Sequence, residues 1–339
     1  MTRPLALVAL VLITIVGCGS TAPAPPAAAT RAASGGAFPV TLPHKYGSTT
    51  ITAAPQRVVT VGLLEQDSLL ALGIVPVATT EWFGGYPGAI GPWAEDRLGG
   101  GTVPQVLKDT GSGPQFEKIA ALKPDLILGL YSGLTKEQYD TLSKIAPTVA
   151  QPKEYIDYGI PWQEVTKRVG TAVGKPADAD KLIKDVEARF VQVQKEHPEF
   201  KGATGLMATL YEGYFVFGSQ DPRSRLLGSL GFQLPTGLDQ AIGDKFGANI
   251  SRERLDLVDT GVVVWSVTDA AKGQAELHGD SIYSKLDVVK EGREVYLPEN
   301  TPPSDAVAFL TVLSLPYVLD TLVPRLAAAV DGDPATKTS

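Results

Sequence analysis

The 339-residue chain has one cysteine, Cys18, and three histidines, His44, His197 and His278. A single cysteine allows no intrachain disulfide. The histidines share no ligand spacing, so no metal-binding residues are assigned and the three read as surface residues. No GxxxxGK[ST] or GxSxG motif occurs, and no GxGxxG follows the first strand, which removes the commonest nucleotide-binding and nucleophile-elbow enzymes. Thirty basic residues against 37 acidic ones leave a net charge of −7. They form no basic run and no aromatic-basic stripe, which argues against a nucleic-acid partner. No catalytic set emerges and the chain reads as a non-enzyme, although Glu65 and Asp67 near the end of the first strand leave a carboxylate-only hydrolase open. The apolar run Leu5–Val16 falls short of the roughly 20 residues that cross a bilayer.

That run has another use. Arg3 followed by Leu5–Val16 has the length of a signal-peptide core. It ends in "IVGC", which resembles a bacterial lipobox and would make Cys18 the lipidated first residue after removal of a signal peptide, 1–17. The alternative is a plain secretory signal cut near Ala22–Ala24. Two or three acyl chains, at roughly 0.8 kcal/mol per buried CH₂, would hold the protein at a membrane. Residues 18–37, rich in Ala, Pro, Gly, Ser and Thr, read as a disordered stalk. The reading is an extracytoplasmic protein, lipid-anchored to the cell membrane.

Beyond the stalk, "FPVTLPHKYGSTTITAAP" predicts a hairpin, and "RVVTVG" a first core strand. Helices then alternate with short apolar strands: "LLEQDSLLALG", "VPVATT", "FEKIAALKP", "DLILGL", "TKEQYDTLSKIAP", "TVAQ". This pattern predicts an α/β lobe with a parallel sheet covered on both faces, residues 38–175. Residues 176–197 then predict one long helix, with Leu182, Ile183, Val186, Phe190 and Val193 at helical spacing. About 20 residues at 1.5 Å each reach roughly 30 Å, enough to join two lobes. Strand-helix alternation restarts over 198–332, with "DAVAFLTVLSLPYVLDTLVPRLAAAV" as a closing helix, and 333–339 reads as a frayed tail.

One segment is echoed. "FEKIAALKPDLILGL" and "SRERLDLVDTGVVVWSV" align on Glu117 and Glu253, each an acid followed by a base, an apolar helical pattern, a turn and an aliphatic strand. Shared α/β grammar alone would explain this. Several segments, however, resemble the substrate-binding proteins of ABC importers for iron complexes and cobalamin: "RVVTVGLLEQDSLLALGIVPVATTEW", "FEKIAALKPDLILG", "LSKIAPTV" and the single long helix. Within that family the likeness is nearest to actinobacterial ferric-siderophore binders. The resemblance implies two Rossmann-like lobes with central parallel-type sheets, one long rigid helix joining them, and a ligand cleft between. It also implies a surface glutamate on each lobe docking with an ABC permease dimer, positions that Glu117 and Glu253 match. The alternative for either is a first-turn acid favoured by the helix dipole.

Ligands of open α/β lobes sit outside the carboxyl ends of the strands. The loops there are aromatic: Trp82, Phe83 and Tyr86 after "VPVATT", then Trp93, Tyr131, Tyr211 and Tyr214. Arg223 and Arg225 could add positive charge, with Arg223 alternatively pairing Asp221. Trp265 reads as core. The expectation is a monomeric solute-binding protein that captures a ferric siderophore, with no cofactor of its own. Haem remains the alternative ligand, with Tyr131, Tyr211 or Tyr214 as a tyrosinate donor. So does a non-transporting lipoprotein that recruits an envelope partner.

Overall fold

The computed structural model describes residues 37–82, 85–108, 113–336 and 338. The expected signal peptide, Cys18, residues 18–36 of the stalk, and Phe83 lie outside the described residues. The first element is the predicted hairpin, an antiparallel pair of β1 (Val40–His44) and β2 (Gly47–Ile51). It lies against the first lobe, where Thr49 Oγ1 donates to the Thr148 carbonyl at 2.5 Å. His44 is buried in this contact, against the expectation of a surface residue. Its Nε2 is 3.0 Å from Thr49 Oγ1, and burial followed by the nearby Arg168 charge holds its pKa below the usual imidazole range.

The first lobe is built on β3 (Val58–Thr60), β4 (Ala78–Thr80), β5 (Gln105–Leu107), β6 (Leu126–Gly129) and β7 (Thr148–Ala150). They lie in the order β5-β4-β3-β6-β7, and every neighbouring pair is parallel. β3, β6 and β7 are buried along their whole length, which is why their sequences, apolar but for Thr60 and Thr148, show no alternation. The connection that starts at β3 moves outward to β4 and β5, then crosses back to β6. The crevice between β3 and β6 is therefore the topological switch point.

The second lobe repeats this order with β8 (Gly205–Leu210), β9 (Tyr214–Phe217), β10 (Gly247–Ile250), β11 (Val262–Val267) and β12 (Glu294–Pro298), arranged β10-β9-β8-β11-β12. Here the expected parallel sheet is corrected. β8, β11 and β12 are parallel, but β9 is antiparallel to both β8 and β10. The cause is local: only Tyr211–Gly213 separate β8 from β9, with Glu212 and Gly213 at φ 53° and 134°. A connection that short can only return antiparallel, since a parallel crossover needs a dozen residues or more.

The helix Pro176–Glu196 joins the lobes, as its pattern predicted. Its N-terminal Ala179 belongs to the first lobe's core, while Val186, Phe190 and Val193 belong to the second's. Leu182 packs against both. One rigid element is thus anchored at each end in a different core. The predicted closing helix is broken into Pro302–Ala308 and Ser314–Val330. At the break Thr311 N donates to Ser314 Oγ and Ser314 N to Thr311 Oγ1, each at 2.9 Å, a reciprocal cap that competes with helix continuation. The 333–339 segment does not fray throughout, because Arg325 Nε donates to the Thr338 carbonyl at 2.7 Å and Thr338 Oγ1 to the Glu294 carbonyl at 2.6 Å.

Candidate ligand-binding cleft

At the first lobe's switch point the chain turns through Gly62 into the helix Glu65–Ala71. Glu65 is fully buried there, its Oε1 accepting the backbone N–H groups of Leu130 and Tyr131 and its Oε2 that of Leu64. A Cβ on Gly62 would stand 2.1 Å from Glu65 Oε1, so the carboxylate requires glycine at this position. The protein's own carboxyl group fills the crevice where other α/β sheets cradle a phosphate. Burial pushes the Glu65 pKa up, and the backbone donors oppose it. Asp67 is likewise buried, accepting from Trp93 Nε1 at 2.8 Å and Thr311 Oγ1 at 2.5 Å, with its pKa pushed up to about 6 by burial. Both carboxylates are turned into the fold and tie its parts together, which removes the basis for reading them as a hydrolytic pair.

Beyond the ends of β3, β4 and β6 lies a pocket of about 240 Å³, lined by Thr80, Lys108, Tyr131, Ser132 and Tyr158 among others. Beyond β8, β11 and β12 lies a second, of about 500 Å³, lined by Thr209, Tyr211, Phe217, Arg223, Glu299 and Asp305 among others. Each therefore occupies the position that strand topology assigns to a ligand. A seam between the lobes is built by Phe309, which comes from the second lobe's broken helix yet packs in the first lobe's core. Its ring is edge-on to Trp82 at 5.2 Å and to Tyr131 at 6.4 Å. Polar clasps also join the lobes. Tyr86 OH donates to Asp305 Oδ2 at 2.7 Å, and Arg225 Nη1 to the Gly159 carbonyl at 2.6 Å. The Asp67–Thr311 bond is a third.

The sequence-predicted residues divide among several places. Tyr131 lines the first pocket, but only 4% of it is exposed, so it presents an edge to the pocket and packs its body in the core. Its pKa is raised by burial first, with Asp221 adding to the rise, and Arg223 is within electrostatic reach across the seam. Trp82 is 8% exposed, donates from Nε1 to the Ala89 carbonyl at 2.8 Å, and is a core residue behind the seam. Tyr86 is in the seam through Asp305. Trp93 lies deeper, against Asp67 and the Tyr317 ring. Tyr211, 62% exposed, and Arg223 line the second pocket. Arg223 combines both sequence alternatives: it faces the pocket, pairs with Asp221 at 2.7 Å, and lies 4.1 Å above the Phe217 ring.

Two candidates lie elsewhere. Arg225 lines a separate cavity of about 680 Å³ against the linking helix, with Trp162, Glu187 and Phe190. Tyr214 packs with Trp265 and stacks on Tyr283, its hydroxyl engaged by Asp280, beside a different groove from the one that takes Tyr211. The reason is the hairpin: on β9 the alternation of faces sends Tyr214 to one side of the sheet and Phe215 to the other. Trp265 is core, as its strand context implied. Sequence reasoning missed Tyr158, Phe217, Asp305, Phe309 and Lys108. Tyr158, at φ 59°, stands edge-on to Tyr131 at 5.5 Å, and nothing in "YIDYG" announces that geometry.

Glu117 and Glu253 are both exposed. Glu117 opens the helix Phe116–Ala121 ahead of β6, and Glu253 opens the 3₁₀ helix Arg252–Leu257 ahead of β11. Glu117 precedes Leu126 and Glu253 precedes Val262 by the same nine positions, and β6 and β11 hold the same place in their sheets. The echo in the sequence is thus an equivalence in topology.

A family profile described as "Periplasmic binding protein" matches residues 58–301. The chain belongs to this periplasmic binding protein family. A crystal structure of a periplasmic solute binding protein from Mycobacterium smegmatis str. MC2 155 is similar at TM-score 0.74 and 37% identity, covering 86% of this chain and 98% of that one. PiaA of Streptococcus pneumoniae TIGR4 in complex with ferrichrome is similar at TM-score 0.77 and 31% identity, covering 86% and 99%. Among curated relatives, YhfQ of Bacillus subtilis (strain 168), named as an ABC transporter substrate-binding lipoprotein, is 28% identical over 271 residues, 75% of this chain and 79% of its own. The two-lobed α/β architecture is that of the family.

Proposed function

We propose that this periplasmic binding protein is the extracytoplasmic solute-binding component of an ABC importer, capturing a ferric siderophore between its lobes and delivering it to a permease dimer. The observation that carries the reading is the pair of pockets, one at the carboxyl ends of each of two sheets with the same strand order, in lobes joined by an aromatic seam. A PiaA–ferrichrome complex at 31% identity supports the choice of ligand class. Tyr131, Tyr158, Tyr211, Phe217 and Arg223 are the side chains that would meet the chelate, with Tyr86 and Asp305 clasping the lobes beside it. The work is binding and docking, with no chemistry on the ligand. Cys18, lipid-modified, would keep the protein at the membrane, as the naming of YhfQ as a lipoprotein agrees.

Glu117 and Glu253 are the proposed docking pair. Two exposed acids at equivalent positions on two lobes suit a two-fold partner carrying basic residues. Ser251 and the local backbone hold the Glu253 pKa below the usual carboxylate range, keeping it charged for such a contact. Replacing both by Ala should leave chelate affinity unchanged and abolish uptake; undiminished uptake would remove this assignment. For haem, burial pushes the Tyr131 and Tyr214 phenols above their ordinary pKa, which disfavours the tyrosinate that would bind ferric iron.

Tryptophan-fluorescence titration of the purified protein with ferrichrome and with haemin tests the reading. Saturable quenching by the ferric chelate at sub-micromolar concentration, about −8 kcal/mol or better, is expected. Saturation by haemin alone would reassign the ligand, and no response to either would favour the partner-recruiting lipoprotein.

A further inference from the structure

The charges around the two pockets do not favour an anion. Arg223, the cation that faces the second pocket, is matched by Asp221 at 2.7 Å, and that carboxylate is buried beneath it. Lys108, the cation at the rim of the first pocket, is paired at 3.9 Å with Glu81. Arg225 is turned to the cavity beside the linking helix and spends its Nη1 on the Gly159 carbonyl. Two further carboxylates, Glu299 and Asp305, line the second pocket. Their hydrogen-bond donors, Thr268 to Glu299 at 3.4 Å and Tyr86 to Asp305 at 2.7 Å, are neutral hydroxyls. Among the described residues, the two cations that line these pockets, Arg223 and Lys108, therefore stand beside four acids. No excess of positive charge faces the cleft, whichever protonation state Asp305 adopts.

The remaining surface is aromatic. Tyr158 and Tyr211, both exposed, offer ring faces and phenol hydroxyls, which contact an uncharged body well and attract a cation, while Tyr131 and Phe217 are largely buried in the pocket walls. A chelate bearing net negative charge would lose its hydration and find in exchange only cations already paired with acids.

Building on the ferric-chelate reading, we propose that the cleft selects chelates of zero or positive net charge and excludes anionic ones. The chemical class is a chelate in which three singly charged bidentate groups, such as hydroxamates, exactly neutralise iron(III), with or without a pendant ammonium. Ferric complexes of polycarboxylates and tris-catecholates, which keep a net negative charge, would be poor ligands.

The test is calorimetric titration of the purified protein with four probes: ferrichrome (uncharged), ferrioxamine B (cationic), ferric citrate and a ferric tris-catecholate (both anionic). The uncharged and cationic chelates should bind at least about 30-fold more tightly than either anion. Raising the salt concentration should weaken ferrioxamine B, leave ferrichrome unchanged and strengthen whatever anion binding exists, because screening acts on charge alone. Glu299→Gln, at an exposed position where folding is not at risk, should lower affinity for ferrioxamine B several-fold and spare ferrichrome. Equal or tighter binding of an anionic chelate would overturn the selectivity while leaving the chelate-binding function intact. Failure of all four probes to bind would overturn the function and the selectivity together.

Discussion

Asp67→Asn probes a buried contact that fastens the two lobes together. The carboxylate is fully buried, and one oxygen accepts both Trp93 Nε1 and Thr311 Oγ1. An asparagine amide oxygen can take the place of that acceptor, so both bonds survive and only the ionisable group is lost. Burial raises the Asp67 pKa from 3.8 to about 6. Between these values the folded protein holds a proton that the unfolded chain has released. Stability from this group is therefore fully present below about pH 4 and is lost as pH rises through 6. Two pKa units correspond to about 3 kcal/mol. Urea unfolding of both proteins from pH 4 to pH 8 isolates the group, because every other titration cancels in the difference. The variant should gain about 3 kcal/mol relative to wild type across the range, most of it below pH 6.5, and end as the more stable protein at pH 7–8. A pH-independent difference would refute the reasoning. So would a wild type that gains on the variant as pH rises, since that would mean the two donors stabilise the ion more than burial penalises it.

Gly62→Ala should destabilise the first lobe by about 2 kcal/mol or more, since the added methyl displaces Glu65 and leaves the Leu130 and Tyr131 amides unsatisfied; thermal unfolding reads this, and an unchanged midpoint would deny the role given to the carboxylate. Trp82→Ala should cost about 3–5 kcal/mol of stability, as for a buried aromatic, measured by urea unfolding. Tyr211→Ala should leave the unfolding midpoint within a degree or two of wild type and weaken chelate binding several-fold, because its ring is exposed at the second pocket. Wild-type affinity in Tyr211→Ala would take this residue out of the cleft.

The two-lobe plan was legible in the chain because it rests on features that sequence expresses directly. The mostly apolar strands β3, β6 and β11, with no polar alternation, encode sheets covered on both faces, and the spacing of Leu182, Val186, Phe190 and Val193 encodes the joining helix. The equivalence of Glu117 and Glu253 was visible as a repeated pattern and is matched by their places ahead of β6 and β11. The cleft was less legible. An aromatic residue in a Gly-rich loop looks exposed, yet Trp82 is held in the core by a hydrogen bond to Ala89 and by a phenylalanine 227 positions away. Phe309 itself sat in an apolar run that read as unbroken helix, and the Thr311–Ser314 cap that breaks it is a local competition that hydrophobic periodicity does not record. Tyr214 lies beside a different groove from Tyr211 because the hairpin that reverses β9 turns tightly at Glu212 and Gly213, a geometry the sequence does not express. The charge pairing of Arg223 with Asp221 was visible as a neighbouring acid, but its consequence for ligand charge needed Lys108, Glu299 and Asp305 to be brought to the same place.

The most direct test of the account is the anomalous scattering of iron in crystals of the protein grown with ferrichrome. A single iron peak between the lobes, over the carboxyl ends of β3 and β6 on one side and β8 and β11 on the other, with Tyr131 and Arg223 among the nearest side chains, is the predicted result. An iron peak in the cavity beside the linking helix, in the groove beside Tyr214, or nowhere on the protein would contradict it.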